Sequence, residues 1–160
     1  MKLIKIKKIF GVGLFGAIIS IALLLFVWCL DKMLGHPQIY LNSLSIKIIA
    51  FSLIVIGIGL HVWTFITLRH WWVENQLCKM GPFKYFRHPM YASWITFIAL
   101  GVSLYLNSWL YLLWFILLHP IWHRLVITEE IMMSDAFGNE YQKYVESTGR
   151  FIPWRIKNTI

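Results

Sequence analysis

The sequence predicts an all-α integral membrane protein with about four transmembrane helices, the third and fourth paired as a tight hairpin. Three observations lead to that class. Of the 160 residues, 59% are hydrophobic and only 14% charged, far from the balance of a soluble domain. Runs 9–30 and 48–68 contain no charged residue. Each is long enough as a helix to cross a hydrocarbon core of ~30 Å. A third apolar stretch, 91–122, is too long for one span and is interrupted by Asn107-Ser108. Two shorter helices, 91–106 and 109–122, turning at that pair satisfy the bilayer better.

The elements follow in order. Lys2, Lys5, Lys7 and Lys8 precede the first run in the manner of a signal peptide. The run is too long for a signal h-region, however, and no small-x-small site follows it. Bulky Trp28 ahead of Cys29 argues against lipoprotein processing, so 9–30 reads as a retained helix. The second helix carries Gly57-x-Gly59, which marks either close helix packing or room for a ligand. A polar segment then leads to the hairpin. Beyond it, 124–145 is mostly helix-compatible, with Gly138 placed to break or turn the helix. Gly149 to Trp154 reads as an extended return to the interface, so the tail should pack over the cytoplasmic mouth of the bundle. The whole chain, 1–160, reads as a single domain.

Charge is distributed as topology requires. The net charge of +8 sits mainly in the four N-terminal lysines and in segment 69–90, while the 31–47 connection is nearly neutral and the tail from His123 balances five cations with five acids. The positive-inside rule puts both termini and segment 69–90 in the cytoplasm, of a prokaryotic inner membrane or an endoplasmic reticulum. Four helices return the chain to its starting side, consistent with that assignment. The basic balance is thereby explained without nucleic-acid binding. Two cysteines, Cys29 and Cys78, make no disulfide framework.

The densest chemistry lies in Gly81-Pro82-Phe83-Lys84-Tyr85-Phe86-Arg87-His88-Pro89-Met90-Tyr91, where the chain re-enters the membrane. Anchoring alone needs only cations and a Trp or Tyr belt, so this density points to a polar ligand held at the membrane surface. Glu129-Glu130, just past the last span, either face solvent or face a cavity and pair with a cationic ligand. The rings of Phe83, Tyr85 and Tyr91 would suit a flat, polar heterocycle. Two other constellations compete. His119, His123 and Glu130 lie roughly on one helical face and have metal-ligand character, but Pro120 interrupts them. His61 and His119 on neighbouring helices could clamp a haem, as in a small haem-binding or assembly protein, although single membrane histidines more often bond a neighbouring helix.

The order Gly81-Pro82-Phe83, Arg87-His88-Pro89-x-Tyr91, Glu129-Glu130, Phe137-Gly138-x-x-Tyr141-x-x-Tyr144 and Ile152-Pro153 resembles the isoprenylcysteine carboxyl methyltransferase family. The related phospholipid methyltransferases share much of it. The resemblance covers roughly Asn75 to Pro153. It implies an integral-membrane enzyme that takes S-adenosylmethionine at its cytoplasmic face and a lipid-tailed acceptor, prenylated or otherwise lipophilic, from among the membrane lipids.

Carried onto this chain, the resemblance implies cofactor contacts at His88, Pro89, Met90, Tyr91 and Glu129, with Glu130 beside them and Phe83 in place of a frequent Tyr. The family's His-x-Leu-Val element aligns with Asn75, Gln76, Leu77 and Cys78, and Ser93 replaces a common Gly. The substrate arginine that the isoprenylcysteine enzymes place four residues before the cofactor Glu is Leu125 here. The neighbouring Arg124, turned by about 100° on a helix, is the candidate catalytic residue. A carboxylate acceptor is already a nucleophile and needs only a positioning cation. An amine acceptor, such as phosphatidylethanolamine, must first lose a proton, for which His123 or Glu130 would be the base.

Overall fold

The structure, a computed structural model, describes residues 11–39, 44–71 and 76–153. Lys2, Lys5, Lys7, Lys8, Asn75 and Trp154 lie outside the described residues. Among the described residues six helices follow one another: α1 Gly13–Met33, α2 Leu44–Trp71, α3 Pro89–Leu106, α4 Trp109–Leu125, α5 Ile127–Phe137 and α6 Asn139–Ser147. Val126 alone separates α4 from α5, so the helical path from Trp109 runs on to Phe137. Four of these stretches are long and apolar enough to cross a membrane. Among the described residues there is no strand, only two isolated bridges.

Helix ends depart from the charge-free runs for identifiable reasons. α1 extends beyond 9–30 to Met33 because Asp31 is paired inside the protein. Its carboxylate accepts from Ser108 Oγ at 2.6 Å and faces His36 Nδ1 at 2.8 Å. At the other end, Gly11 has a φ of 44°, so regular helix begins at Gly13. α2 outruns 48–68 at both ends, because Lys47 and Arg69 are exposed and can reach out of the apolar layer along their own stems. α3 opens at Pro89, whose missing N–H costs nothing in a first turn. Pro120 lies inside α4 without ending it, and α4 passes the expected limit at 122.

Small residues set the packing. Gly16 sits against the Trp122 ring, where a Cβ would come within 2.6 Å of it. Buried Ser20 then serves two indoles: Trp114 Nε1 donates to its carbonyl at 3.1 Å and Trp122 Nε1 to its hydroxyl at 3.0 Å. These contacts fasten α1 to α4. α2 meets α3 through Gly57, which lies against Ser93 O, Phe97 and Ile98, and through Gly101, which lies against the Ala50 carbonyl. Gly57 thus serves helix packing, while a Cβ built on Gly59 would meet nothing from neighbouring elements within 4 Å. α3 and α4 form the expected hairpin, turning at Asn107 in the left-handed conformation (φ 53°), with Ser103 Oγ donating to Tyr111 O at 2.7 Å. Within α3, Ser93–Ile98 is wound as a π-type turn, a feature that often accompanies functional sites. Ser93 Oγ donates to Met90 O at 2.6 Å and meets His61 Nδ1 at 2.9 Å.

The outer faces of α1 and α2 expose Leu14, Phe15, Ile18, Phe51, Ile58 and Phe65, among others. Acyl chains satisfy such surfaces, so the tight internal contacts come from small residues and hydrogen bonds. On one face of the bundle, the head of α1, the loop before α3, and α5 and α6 meet. The opposite face joins the α1–α2 connection to the α3–α4 turn, where Ile39 N donates to Asn107 O at 3.2 Å and Trp109 N to Pro37 O at 3.2 Å.

Candidate functional site

The site is built from the loop before α3 outward. Gly81-Pro82 opens a single 3₁₀ turn over Gly81–Lys84, with Gly81 at φ 55° and tight against Thr67 of α2. Pro82 and Phe86 are buried, which fixes the approach to α3. The tail then pairs with this loop as expected of an extended return: Arg87 N donates to Gly149 O at 2.7 Å and His88 N to Arg150 O at 3.2 Å. Phe151, 1% exposed, anchors that segment in the core. Tyr144 of α6 locks the loop from outside, its hydroxyl donating to Phe83 O at 2.7 Å and Phe86 O at 3.2 Å. Burial raises the Tyr144 phenol well above its usual range and keeps it a donor.

This scaffold brings His88, Tyr91, Glu129 and Glu130 into one cluster. Glu129 Oε1 accepts from Tyr91 Oη at 2.9 Å and from the Val12 backbone N–H at 2.7 Å. Glu129 Oε2 meets His88 Nδ1 at 3.4 Å. Glu130 is a different kind of acid. Arg87 Nε and Arg150 Nε each donate to its Oε1 at 3.0 Å, and Arg150 Nη2 donates to its Oε2. Arg87 also donates to the carbonyls of Val145 and Thr148, at 3.0 and 3.1 Å. Glu130 is therefore the knot that ties α5, the loop and the tail together, whereas Glu129 keeps one oxygen turned toward the histidine.

His88 lies between the two carboxylates, its ring stacked 5.6 Å from that of Tyr91. Burial works against its charge, but Glu129 and Glu130 outweigh that and raise it above its ordinary 6.5. Its Nε2 is buried and lacks a hydrogen-bond partner among the described residues, although Glu130 Oε1 stands 3.4 Å away. Tyr91 also packs on Trp122 at 4.7 Å, so an aromatic wall backs the acid pair.

The remaining sequence candidates are placed less centrally. Pro89 is buried at the start of α3 and Met90 is half-buried beside it. Leu77 is buried with Tyr141 and Tyr144 in a small satellite cluster under the tail. Cys78 is half-buried and its thiol is pushed up by burial, while Gln76 is exposed. Phe83 lends its carbonyl to Tyr144 and is half-buried. Asn75 lies outside the described residues. Arg124 is exposed near the end of α4, and no ion pair joins it to the cluster among the described residues. His61 bonds Ser93 and His119 packs edge-on to Phe115, each with its own local neighbour. Among the described residues no three His, Cys, Asp or Glu side chains are grouped to hold a metal.

Two sets of participants are not marked by the motifs. Arg150 joins the motif residue Arg87 in holding Glu130, and none of the motifs includes it. The head of α1 touches Glu129 and Tyr91 through Gly11, Val12 and Gly13, and its glycines carried no recognisable pattern.

Compared with known proteins, the phospholipid methyltransferase family matches residues 46–140, more than half of the chain and inclusive of His88, Tyr91, Glu129 and Glu130. Neither a curated protein nor a solved structure matches it. The helical bundle and this match agree: the chain belongs to the phospholipid methyltransferase family and is a multi-pass integral-membrane methyltransferase.

Proposed function

We propose that the protein transfers a methyl group from S-adenosylmethionine to a lipid-tailed carboxylate of the isoprenylcysteine kind. The family implies the methyl donor. The residues present fit it: Glu129 offers an anionic oxygen for an ammonium, His88 Nε2 is a buried polar atom without a hydrogen-bond partner among the described residues, and half-buried Tyr91 supplies a ring that favours a cation. Glu129, His88 and Tyr91 would hold the cofactor, with Met90 and Pro89 shaping the wall and the 76–78 segment and Phe83 at its edge. When bound, the cofactor supplies an electrophilic methyl on sulfur, and the protein's part is to position the two reactants and exclude water.

One observation carries the choice of acceptor: Arg150 occupies both candidate bases. Its Nη1 donates to His123 Nδ1 at 3.0 Å, which puts the ring proton of neutral His123 on Nε2, a donor. Its Nε and Nη2 donate to Glu130. An amine that must lose a proton therefore finds no ready acceptor in either residue. A carboxylate needs none, only a cation, and exposed Arg124 provides one at the end of α4. An unpaired anion in a partly apolar site would otherwise be strongly disfavoured. In this reading both termini are cytoplasmic, since the head of α1 and the tail meet on the face that bears the site.

The second reading is N-methylation of a phospholipid amine such as phosphatidylethanolamine, favoured by the description of the matching family. Labelled-methyl transfer into a lipid extract and into a prenylcysteine analogue separates the two. Label released by mild base marks an ester and supports the first reading. Base-stable label in a phospholipid headgroup overturns it in favour of the second.

A further inference from the structure

α1 lies outside the 46–140 stretch that the family matches, yet it makes the shortest hydrogen bond to Glu129. Val12 caps the helix at a φ of −85°, and its carbonyl accepts from Gly16 N at 2.8 Å as a first intrahelical bond. Its N–H has no such duty, because the first amides of a helix lack intrahelical acceptors. It donates instead to Glu129 Oε1 at 2.7 Å. The approach depends on absent side chains. Gly11 holds φ at 44°, and a Cβ built there would fall inside contact with Glu129 Oε1. A Cβ on Gly13 would come within 3.0 Å of the Tyr91 ring, the second donor to the same oxygen.

Together these contacts saturate one oxygen and spare the other. Oε1 takes both the amide and the Tyr91 hydroxyl, while among the described residues Oε2 meets only His88 Nδ1, at 3.4 Å. We propose that the Gly11-Val12-Gly13 turn is a positioning element of the site: it fixes Glu129 through Oε1 and so presents Oε2 to the ammonium group of the cofactor. The proposal rests on the reading of Glu129 as the ammonium's partner. It makes the first helix part of the cofactor site rather than a membrane anchor alone.

The test uses the full-length protein in detergent and two probes: S-adenosylhomocysteine and its analogue lacking the α-amino group. Val12→Pro deletes the amide donor at a position whose φ is close to what a proline ring allows, with no helical bond lost. Val12→Ala keeps the donor. Val12→Pro should weaken S-adenosylhomocysteine binding about tenfold or more, as expected for loss of a hydrogen bond to a charged group, and Val12→Ala by less than about twofold. The deaminated analogue should bind wild type and Val12→Pro equally, because it makes no use of Oε2. A merely structural defect would weaken both probes together, and that result, or unchanged binding of both, overturns the proposal. Should Val12→Pro fail to fold, Gly11→Ala, which drives a methyl against Oε1, is judged by the same pair of probes. Glu129→Gln separates the two levels. If it binds like wild type, the reading of Glu129 fails and the proposal with it. If it loses binding while Val12→Pro does not, only the role of α1 fails.

Discussion

Two adjacent glutamates differ in what they touch, and isosteric substitution should separate them. In Glu129→Gln, the amide oxygen can take the place of Oε1 and still accept from Val12 N–H and Tyr91 Oη, at 2.7 and 2.9 Å in the wild type. The amide nitrogen replaces Oε2 and faces His88 Nδ1 without the charge that helps keep the imidazole protonated, a role that Glu130 Oε1, 3.4 Å from Nε2, still fills in part. Folding stability should fall by ~1 kcal/mol, the size of an ordinary hydrogen bond. What disappears is the charge available to an ammonium, and a charge-assisted hydrogen bond is worth ~1.5–3 kcal/mol, or about ten- to a hundredfold in affinity. Glu130→Gln has the reverse profile. It strips the charge that two guanidiniums share, with Arg87 12% and Arg150 23% exposed. Leaving partly buried cations without their anion costs ~3 kcal/mol. Calorimetric binding of S-adenosylhomocysteine, paired with thermal unfolding in detergent, reads both quantities. Cofactor binding by Glu129→Gln at wild-type strength would refute the division of labour. So would a Glu130→Gln protein as stable as its parent.

Other expectations follow from the same contacts. Arg124→Leu should abolish base-labile methyl transfer while leaving cofactor affinity within about twofold; full ester formation by a correctly inserted variant removes Arg124 from the reaction. His88 is held above its ordinary 6.5 by Glu129 and Glu130 despite burial, so its contribution to stability is complete below pH 6.5 and is lost as pH rises through the folded value. His88→Gln should therefore flatten the decline of stability on the alkaline side of 6.5, and parallel unfolding curves for the two proteins contradict the assignment. Gly16→Val should cost ~1–3 kcal/mol by forcing α1 off Trp122, where even a Cβ would come within 2.6 Å; an unshifted melting temperature refutes the close packing. Reporter fusions should place both termini in the cytoplasm, and opposite sides would break the proposed orientation.

The sequence by itself determined the membrane class, because long charge-free runs have few other fates and bilayer thickness fixes how many residues each span needs. It also determined the hairpin: Asn107-Ser108 interrupts an apolar stretch too long for one crossing, and Asn107 takes the left-handed turn. His88, Tyr91, Glu129 and Glu130 were legible as a group because their ordered motifs follow a known pattern. Their separate roles were not legible. Whether an acid faces a ligand or a pair of arginines depends on which elements fold over it, and Arg150 reaches Glu130 only because the tail runs back beside residues 86–88. Charge also misled at the end of α1, where Asp31 marked a boundary until Ser108 and His36 supplied its partners from other parts of the chain. The contact of α1 with Glu129 was the least readable of all. It is made by a backbone amide, which every residue but proline carries, and by the absence of side chains at Gly11 and Gly13. Only tertiary structure decides where such a group points, because its effect comes from distance and direction and leaves no residue type as its mark.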